Sequence, residues 1–265
     1  MQSYDISFVI IEYHSLDDVQ GCISSINERC KKINYEIIIS SNSLYPPEQQ
    51  EKLKSEHPGF EWIFNSENLG FAKAMNAGMK NAYGKCIVIT NPDARIRNDI
   101  DSAYQYLMSN PDVGVLGPKI IDQDGNLQDS CRTFMTPQKL LQRIFKRFLH
   151  KRDVLLRSGF DYNTIQPVDW VVGAFMMIKK KAVEVVGLFD EGYFMYVEDM
   201  DWCKRFWNQG YKVIYYPELV IEYKGTRKSI EPFLSRSTLN RYTIYHIKSY
   251  LRFLRKHGLS ARSTD

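Results

Sequence analysis

The chain carries five acidic residues within residues 189–201, beside several aromatic side chains. The acids are Asp190, Glu191, Glu198, Asp199 and Asp201. Like charges a few ångströms apart disfavour joint ionisation, so this crowding is typical of a site that poises a base or holds a cation. The same acids would suit the start of a solvated helix, where the helix dipole favours negative charge and Asp201 can pair with Arg205. On this segment alone, both interpretations stay open.

A second polar segment lies upstream, at residues 68–78, and an apolar run at 86–90 leads from it to Asn91, Pro92 and Asp93. The apolar run predicts a buried parallel strand, so this polar triplet would follow the carboxyl end of the strand. Open α/β sheets bind their ligands beyond the carboxyl ends of the strands. The segment therefore predicts a ligand site, with an ordinary Asn-Pro turn as the alternative.

Strand and helix patterns alternate along the first half of the chain. Strands are predicted at 6–11, 35–40, 60–65, 86–90 and 113–118, and helices at 16–31, 47–57, 70–82 and 100–110. This alternation predicts an α/β fold with a right-handed, mostly parallel, doubly wound sheet. After a hairpin turn predicted at Asp124 and Gly125 the alternation becomes irregular.

Five short motifs, in their order and spacing, resemble the rhamnosyltransferase-like branch of family-two glycosyltransferases. They are Asn68-x-Gly70-Phe71 with Asn76, Asn91-Pro92-Asp93, Gly173-Ala174-Phe175, Phe189-Asp190-Glu191 and Glu198-Asp199-x-Asp201. The resemblance covers roughly residues 6–230. It implies a GT-A fold, a nucleotide-diphosphate sugar donor and inversion at the anomeric carbon. We expect a GT-A domain at 1–223, with a nucleotide-binding half to about residue 118 and an acceptor-binding half at 119–223, and a basic helical appendage at 224–265.

Glycosyl transfer needs a stabilised leaving group and a base. A sugar diphosphate leaves when its developing charge is stabilised, commonly by a divalent ion that carboxylates hold. The resemblance implies that Asp93 is such a ligand, with Mg²⁺ or Mn²⁺ as the cofactor. Asp199 is the predicted base for the acceptor hydroxyl, and Glu198 shares this role or orients the acceptor. The other residues implied to bind the donor are Tyr13, Asn42, Asn68, Gly70, Phe71, Asn76, Asn91, Gly173 and Ala174.

Three segments depart from the family pattern. The first strand ends in Glu12-Tyr13-His14 and keeps only the tyrosine that would lie near the nucleobase. The second ends in Ser40-Ser41-Asn42-Ser43 and lacks the aspartate that would bind the nucleobase edge, so neutral hydroxyls would replace it. Glu222 stands about where the family places a metal-binding histidine. As a hard oxygen ligand it would complete the metal site, unless it pairs at the surface with Lys224 or Arg227.

Trp170 is predicted to contact the acceptor, because an indole ring can stack on a pyranose. The alternative is a core position for this residue, within the apolar run 170–178. Gly173, shortly after it, would let the sugar approach the backbone closely.

The composition suits one α/β domain with a C-terminal appendage. With 265 residues, of which 44% are hydrophobic, the chain can bury a substantial core. Its five cysteines are odd in number and scattered, which favours a reducing cytoplasm. The first apolar run, at residues 6–11, indicates a strand rather than a signal peptide, and no run reaches the roughly 18 apolar residues of a spanning helix.

The end of the chain is basic. Residues 224–265 carry 10 basic and 2 acidic side chains, against 25 and 29 in residues 1–223. A helical apolar pattern at 232–257, with interspersed Arg and Lys, predicts a helix on an anionic membrane, at the inner face of the plasma membrane, or a helix packed on the domain. Residues 139–157 are a second basic amphipathic segment of this kind. The acid-rich remainder disfavours nucleic-acid binding. An oligomer stays open.

The predicted function is therefore an inverting transfer of a sugar from a UDP- or dTDP-sugar to a glycan or lipid-linked glycan, in the synthesis of cell-surface polysaccharide. One alternative is a catalytically degenerate homologue that binds nucleotide or glycan without turnover. The three departures suggest it, and the retention of Asp93 and Asp199 argues against it. A sugar-nucleotide synthesising or dehydrogenating enzyme is disfavoured, because the chain has no Gly-x-Gly pair and no Gly-Lys-Ser/Thr loop.

Overall fold

The computed structural model describes residues 4–134, 159–225 and 241–258. The first half contains β1 (Ile6–Glu12), α1 (Leu16–Arg29), β2 (Tyr35–Ser41), α2 (Pro47–Glu56), β3 (Phe60–Phe64), α3 (Gly70–Lys80), β4 (Cys86–Thr90), β5 (Ala94–Ile96) and α4 (Asp101–Ser109). The second half contains β6 (Val113–Ile121), β7 (Leu127–Gln128), β8 (Cys131–Arg132), β9 (Gln166–Pro167), β10 (Trp170–Val171), β11 (Phe175–Lys179), α5 (Lys180–Val186), α6 (Glu198–Asn208), β12 (Lys212–Tyr223) and α7 (Arg241–His257).

The predicted alternation of strands and helices is confirmed, with bounds that differ mostly by one or two residues. The largest difference is β6, which was expected to end at Pro118 and continues to Ile121. The pairing of β6 with β12 shifts in register after the pair Pro118 and Tyr216. Proline is tolerated at such an irregularity because the ladder lacks a regular hydrogen bond there.

One ten-stranded sheet forms the centre of the molecule. Its main path runs β3-β2-β1-β4-β11-β6-β12-β5, and β7 and β9 pair with β6 and β12. The neighbours from β3 to β4 are parallel, as are β6 and β12, whereas β11 is antiparallel to both of its neighbours. The mostly parallel, doubly wound sheet predicted from the sequence is confirmed. Both predicted halves of the domain contribute strands to it.

The central strands form because their sequences suit burial on both faces. In β1, Phe8 and Ile10 belong to the core on one face of the sheet, and Val9 belongs to the core on the other. Their side chains alternate because successive residues of a strand point to opposite faces. Helix α3 lies close against the second face, since a Cβ added at Gly78 would collide with the Val9 side chain.

The second half is irregular, as predicted. The hairpin turn is present, with Gly125 at φ 81° donating its amide hydrogen to the Asp122 carbonyl, and β8 and β10 form a separate two-stranded sheet. Helix α7 packs on the domain through Phe253, which is fully buried. None of the helices in the described ranges is long and apolar enough to cross a bilayer. The second basic helix, predicted at 139–157, lies outside the described residues.

Candidate active site

Two hydrogen bonds donated by backbone amides bring the predicted site residues of three separate segments together. The Asn91 amide, just beyond β4, donates to the Ala174 carbonyl at 2.9 Å. The neighbouring Gly173 amide donates to Oδ2 of Asp199 at 2.9 Å. The carboxyl end of β4, the residues before β11 and the start of α6 therefore meet at one edge of the sheet. This is the edge at which open α/β sheets bind ligands.

Helix α6 begins with Glu198 and Asp199 after an unusual stretch of backbone. Tyr196 and Val197 both have left-handed conformations, with φ of 69° and 73°. This region is unfavourable for a β-branched residue, and such conformations cost of order 1–3 kcal/mol each. They persist only where surrounding contacts hold them, which is common at functional sites. The turn buries both acids at the positive end of a helix.

Asp199 and Glu198 differ in what shifts their pKa values. Burial raises the pKa of Asp199, while hydrogen bonds from the Gly173 and Met200 amides counteract this rise. Burial, and then the charge of Asp199, raise the pKa of Glu198 well above its ordinary value. Oε2 of Glu198 is buried without a hydrogen-bond partner in the described ranges. Since Asp199 receives the donors and Glu198 does not, the ionised form is favoured more in Asp199 than in Glu198.

Asp93 and Asn91 supply the oxygen atoms suited to a cation. Burial raises the pKa of Asp93, and its Oδ2 accepts a hydrogen bond from the Gly225 amide at 3.2 Å. The side-chain nitrogen of Asn91 donates to the Tyr223 hydroxyl at 2.9 Å. This nitrogen is therefore oriented away from any ligand that the side-chain oxygen of Asn91 would bind. Mg²⁺ in proteins is often held by one or two carboxylates together with substrate phosphates. The residues present fit a cation of that kind.

Glu222, the predicted second metal ligand, has a different partner. Its carboxylate forms an ion pair with Arg97, whereas the next side chain, Tyr223, points toward Asn91. Adjacent strand residues face opposite ways, so β12 presents only one of these two side chains to Asn91. Of the two surface partners expected as an alternative, Lys224 pairs with Asp18, and Arg227 lies outside the described residues. Within the described ranges, no group of three or more His, Cys, Asp or Glu residues is arranged to hold a metal.

Two basic residues that sequence reasoning missed lie near Asp93. Arg95 and Lys224 both pair with Asp18, at 3.6 and 3.0 Å. Arg95 also lowers the pKa of Asp93 against the larger effect of burial. Arg95 lies on β5 and Asp93 in the turn before it, so no strand periodicity linked the two in the sequence.

The ends of β1 and β2 border a cavity of about 500 Å³. It is lined by His14, Ser15, Leu16, Asp17, Asp18, Tyr45 and Lys224. Tyr13, the residue expected near the nucleobase, is half exposed with its ring 4.5 Å from that of His14. The rings of Tyr13 and His14 are an aromatic surface on which a nucleobase would stack.

Glu12 binds serines at and just after the end of β2. Its fully buried carboxylate accepts hydrogen bonds from the Ser15 amide and from the hydroxyls of Ser41, Ser43 and Tyr45. Of the hydroxyls expected to replace an aspartate in nucleobase binding, those of Ser41 and Ser43 are thus bound to an internal acid. The third, on Ser40, accepts a hydrogen bond from the Asn65 side chain at 3.2 Å. Glu12 was noted in the sequence only as a departure, since no local pattern links it to residues about 30 positions away.

Asn42 and Asn68 shape the loop that begins α3. Asn42 is buried, donates to the Gly70 carbonyl at 3.1 Å and accepts from the Leu69 amide at 3.3 Å. Asn68 accepts from the Gly70 amide at 3.0 Å. Gly70 has φ 74°, and a Cβ there would collide with the Phe194 carbonyl, so only glycine fits. These residues hold the backbone at the start of α3.

Phe71 and Asn76 connect α3 to the segment before α6. The Phe71 amide donates to the Phe194 carbonyl at 2.8 Å, and its ring lies 5.9 Å from that of Phe189. The Asn76 side chain donates to the Phe189 carbonyl and accepts from the Phe189 amide, at 2.9 and 3.0 Å. Asn76 thus fixes the loop that leads to the predicted base.

Trp170 is mostly buried, at 7% exposure, and its indole NH donates to the Thr133 carbonyl at 3.0 Å. The Arg132 guanidinium lies over the indole ring, 5.1 Å from its centre, and pairs with Asp129 at 2.6 Å. Arg132 also favours the ionised form of Asp199, lowering its pKa against the larger effect of burial. Arg132 could not be predicted as a site residue from the sequence, because it lies far from Asp199 along the chain.

The chain is similar to several curated glycosyltransferases. The sequence profile of Glycosyl transferase family 2 matches residues 7–186. A low-salt glycan biosynthesis hexosyltransferase of Haloferax volcanii is 25% identical over 208 residues, covering 76% of this chain and 61% of the relative. An N-acetylglucosaminyl-diphospho-decaprenol L-rhamnosyltransferase of Mycobacterium tuberculosis is 25% identical over 220 residues, covering 76% of this chain and 69% of the relative. The dTDP-rhamnosyl transferase RfbF of Shigella flexneri is 25% identical over 197 residues, covering 72% and 61%. The chain thus spans under two thirds of the length of two of these relatives.

Solved structures establish the fold. GalNAc-T7, determined with UDP, GalNAc and Mn²⁺, matches with a TM-score of 0.66 at 15% identity, over 95% of this chain and 48% of that protein. A mannosyltransferase from Pyrobaculum calidifontis, in complex with GDP-Man and Mn²⁺, matches with a TM-score of 0.61 at 16% identity, over 99% and 66%. The predicted GT-A fold is confirmed. By the profile match over most of its length, the chain belongs to glycosyl transferase family 2, and rhamnosyltransferases are among its relatives.

Proposed function

We propose that the protein is an inverting glycosyltransferase that moves a sugar from a nucleotide-diphosphate donor to a glycan or lipid-linked glycan acceptor. The observation that carries this proposal is the hydrogen bond from Gly173 to Asp199, next to the contact between Ala174 and Asn91. It brings a buried carboxylate and the oxygens suited to a cation to one edge of the sheet. Inverting transfer requires a base on the acceptor side and charge stabilisation on the donor side.

On the acceptor side, Asp199 accepts the proton of the attacking hydroxyl. Its pKa, raised by burial, brings its basicity closer to that needed at neutral pH. Glu198, protonated beside it, donates a hydrogen bond to the acceptor through its otherwise unsatisfied carboxyl group. Arg132, whose guanidinium covers the mostly buried ring of Trp170, forms the adjoining surface for the acceptor sugar, so Trp170 supports this surface rather than stacking on the sugar.

On the donor side, Asp93 and the Asn91 side-chain oxygen would hold a divalent cation, Mg²⁺ or Mn²⁺. When bound, such a cation neutralises the charge that develops on the leaving diphosphate. Arg95 and Lys224 add positive charge at the same place once the diphosphate displaces them from Asp18. Tyr13 and the loop held by Asn42 and Asn68 bind the nucleoside.

The names of the relatives suggest which substrates to test first. Two are named as rhamnosyltransferases, and one of these names includes dTDP. We therefore propose dTDP-rhamnose as the first donor, with UDP-sugars as the comparison. The relative from Mycobacterium tuberculosis is named for an N-acetylglucosaminyl-diphospho-lipid, which is the first acceptor to test. These names support a role in cell-surface polysaccharide synthesis.

The alternative function is binding of nucleotide or glycan without turnover. The observations that favour it are the neutral Asn91 beside Asp93 and the ion pair that occupies Glu222. A turnover assay with the donors named above separates the alternatives. Release of nucleoside diphosphate that depends on the acceptor supports the enzyme, whereas tight donor binding without release supports the binding protein.

The first prediction concerns the base. Asp199→Asn should lower the transfer rate roughly 10²–10⁴-fold, because positioned acid–base catalysis contributes about that much. Its affinity for the nucleoside diphosphate should stay near that of the wild type, since a base acts in the transition state. Asp124→Asn, at an exposed turn, is the matched control and should transfer normally. A variant Asp199→Asn that keeps over half of the wild-type rate would exclude Asp199 as the base.

The second prediction concerns the cation. Calorimetric titration with dTDP or UDP should show tighter binding with Mg²⁺ or Mn²⁺ than with a chelator, and Asp93→Ala should lose this difference. Glu222→Gln should keep the difference, because Glu222 pairs with Arg97, and loss of the difference in this variant would make Glu222 a second ligand. Equal affinity with metal and chelator would contradict the metal site. Normal metal dependence in Asp93→Ala would contradict the assignment of Asp93.

We also propose that the protein lies peripherally on the cytoplasmic face of the plasma membrane. The outward face of α7 exposes Ile244, Ile247 and Leu251, with Lys248 also exposed on the same helix. Arg252 and Lys256 are two of the basic residues in the 232–257 pattern that predicted a membrane surface, but they pair with Asp190. The membrane contribution of α7 therefore depends on fewer charges and more on apolar side chains than the sequence suggested.

The third prediction tests this surface. Ile247→Ser with Leu251→Ser should lower co-sedimentation with vesicles that contain anionic lipid, because the change removes exposed apolar area from α7. Raised salt should lower it as well, since each basic residue near the surface contributes about 1 kcal/mol at most. Val185→Ser, at an equally exposed apolar residue on α5, is the control. A wild-type protein that ignores these vesicles at low ionic strength would exclude the membrane proposal.

A further inference from the structure

Helix α7 contacts the segment before the predicted base at three successive positions. The Tyr245 ring packs 4.8 Å from that of Phe194, and the His246 ring stacks on Tyr196 at 5.1 Å. Between them, the Ser249 hydroxyl donates to the Met195 carbonyl at 2.9 Å. Helix α7 therefore lies along the whole of this segment.

The far half of α7 extends these contacts to both ends of the acidic cluster. Arg252 and Lys256 reach Asp190 at 2.8 and 3.0 Å, and Lys256 also reaches Asp201 at 2.9 Å. A Cβ added at Gly192 would collide with the Arg252 guanidinium, so the loop approaches α7 very closely. Two of the five acids within residues 189–201, Asp190 and Asp201, thus bind this helix.

Asp201 links α7 directly to the first turn of α6. It is fully buried two residues after Asp199, and its carboxylate is bound by Tyr193, Arg205, Lys256 and His257. Burial alone would raise the pKa of Asp201, but His257, Lys256 and Arg205 hold it below its usual value. Two of its partners belong to α7, so a charged Asp201 depends on that helix.

The backbone between these contacts is the strained part of the site. Tyr196 and Val197 are left-handed, and neither residue type favours this conformation. The segment persists in it because surrounding contacts determine its path. Several of those contacts come from α7, at Phe194, Met195 and Tyr196 immediately before the turn.

We propose that α7 is a positioning element of the active site, which holds the Phe194–Val197 turn and thereby places Glu198 and Asp199. Ser249 and His246 are its positioning residues, and neither touches the reacting atoms. The role of α7 in transfer rests on the proposed function, whereas its hold on the turn does not. The face of the C-terminal helix that packs on the domain then supports the catalytic residues, while its opposite face stays a surface element.

Hydrogen exchange of the full chain tests the hold on the turn without any substrate. Ser249→Ala and, separately, His246→Ala should speed amide exchange in peptides that cover residues 194–201, with the strands of the central sheet unchanged. Lys248→Ala, on the exposed face of the same helix, should exchange as the wild type does. Ser249→Thr keeps a hydroxyl and should restore slow exchange. Exchange at 194–201 that is the same in Ser249→Ala, His246→Ala and Lys248→Ala would overturn the proposal.

Transfer kinetics test the consequence for catalysis. Ser249→Ala should lower kcat by about tenfold with the donor KM unchanged, since small misplacements of a catalytic group can cost on the order of 10²-fold. Ser249→Thr should recover most of the rate. A normal kcat in Ser249→Ala would overturn the role of α7 in positioning. A wild-type protein without any turnover would instead refute the proposed function, and the exchange measurement would then decide the structural part alone.

Discussion

The hydrogen bond from the Gly173 amide to the Asp199 carboxylate is the interaction on which the site depends. It joins the start of α6 to the segment before β11, and the next residue, Ala174, binds the Asn91 amide beyond β4. Three segments far apart in the sequence are thereby fixed to one another by hydrogen bonds that two backbone amides donate, one of them to the Asp199 side chain. Side-chain changes elsewhere leave such a connection in place, which suits a family that varies its substrates on one fold.

Burial and charge oppose each other throughout this site. Removing Asp199 from water raises its pKa, while backbone donors, the helix end and Arg132 favour its ionised form. The neighbouring Asp201 meets the same conflict and keeps its charge through partners on α7. The strained turn at Tyr196 and Val197 adds a further cost. The stability that offsets these costs comes from the sheet and from the packing of α7 through Phe253.

Local pattern predicted most of the fold, because the strands and helices carry their own periodicity. It also found the acidic cluster and the polar triplet after β4. It could not pair Glu12 with hydroxyls on the next strand, or Glu222 with Arg97, since those contacts join residues about 30 and 125 positions apart. Nor could the local pattern show whether α7 lies on a membrane or packs on the domain. The structure has one face of that helix packed and leaves Ile247 and Leu251 exposed.

The acid limb of the pH profile for single-turnover transfer tests the central claim most directly. A base must be ionised to act, and burial raises the pKa of Asp199, so the rate should fall as the pH drops through a value above the ordinary aspartate pKa of about 3.9. Glu198→Gln keeps the neutral state that Glu198 has beside Asp199, so the acid limb should stay where it is in the wild type. An acid limb at the ordinary aspartate value, or one that moves to lower pH in Glu198→Gln, would contradict the account.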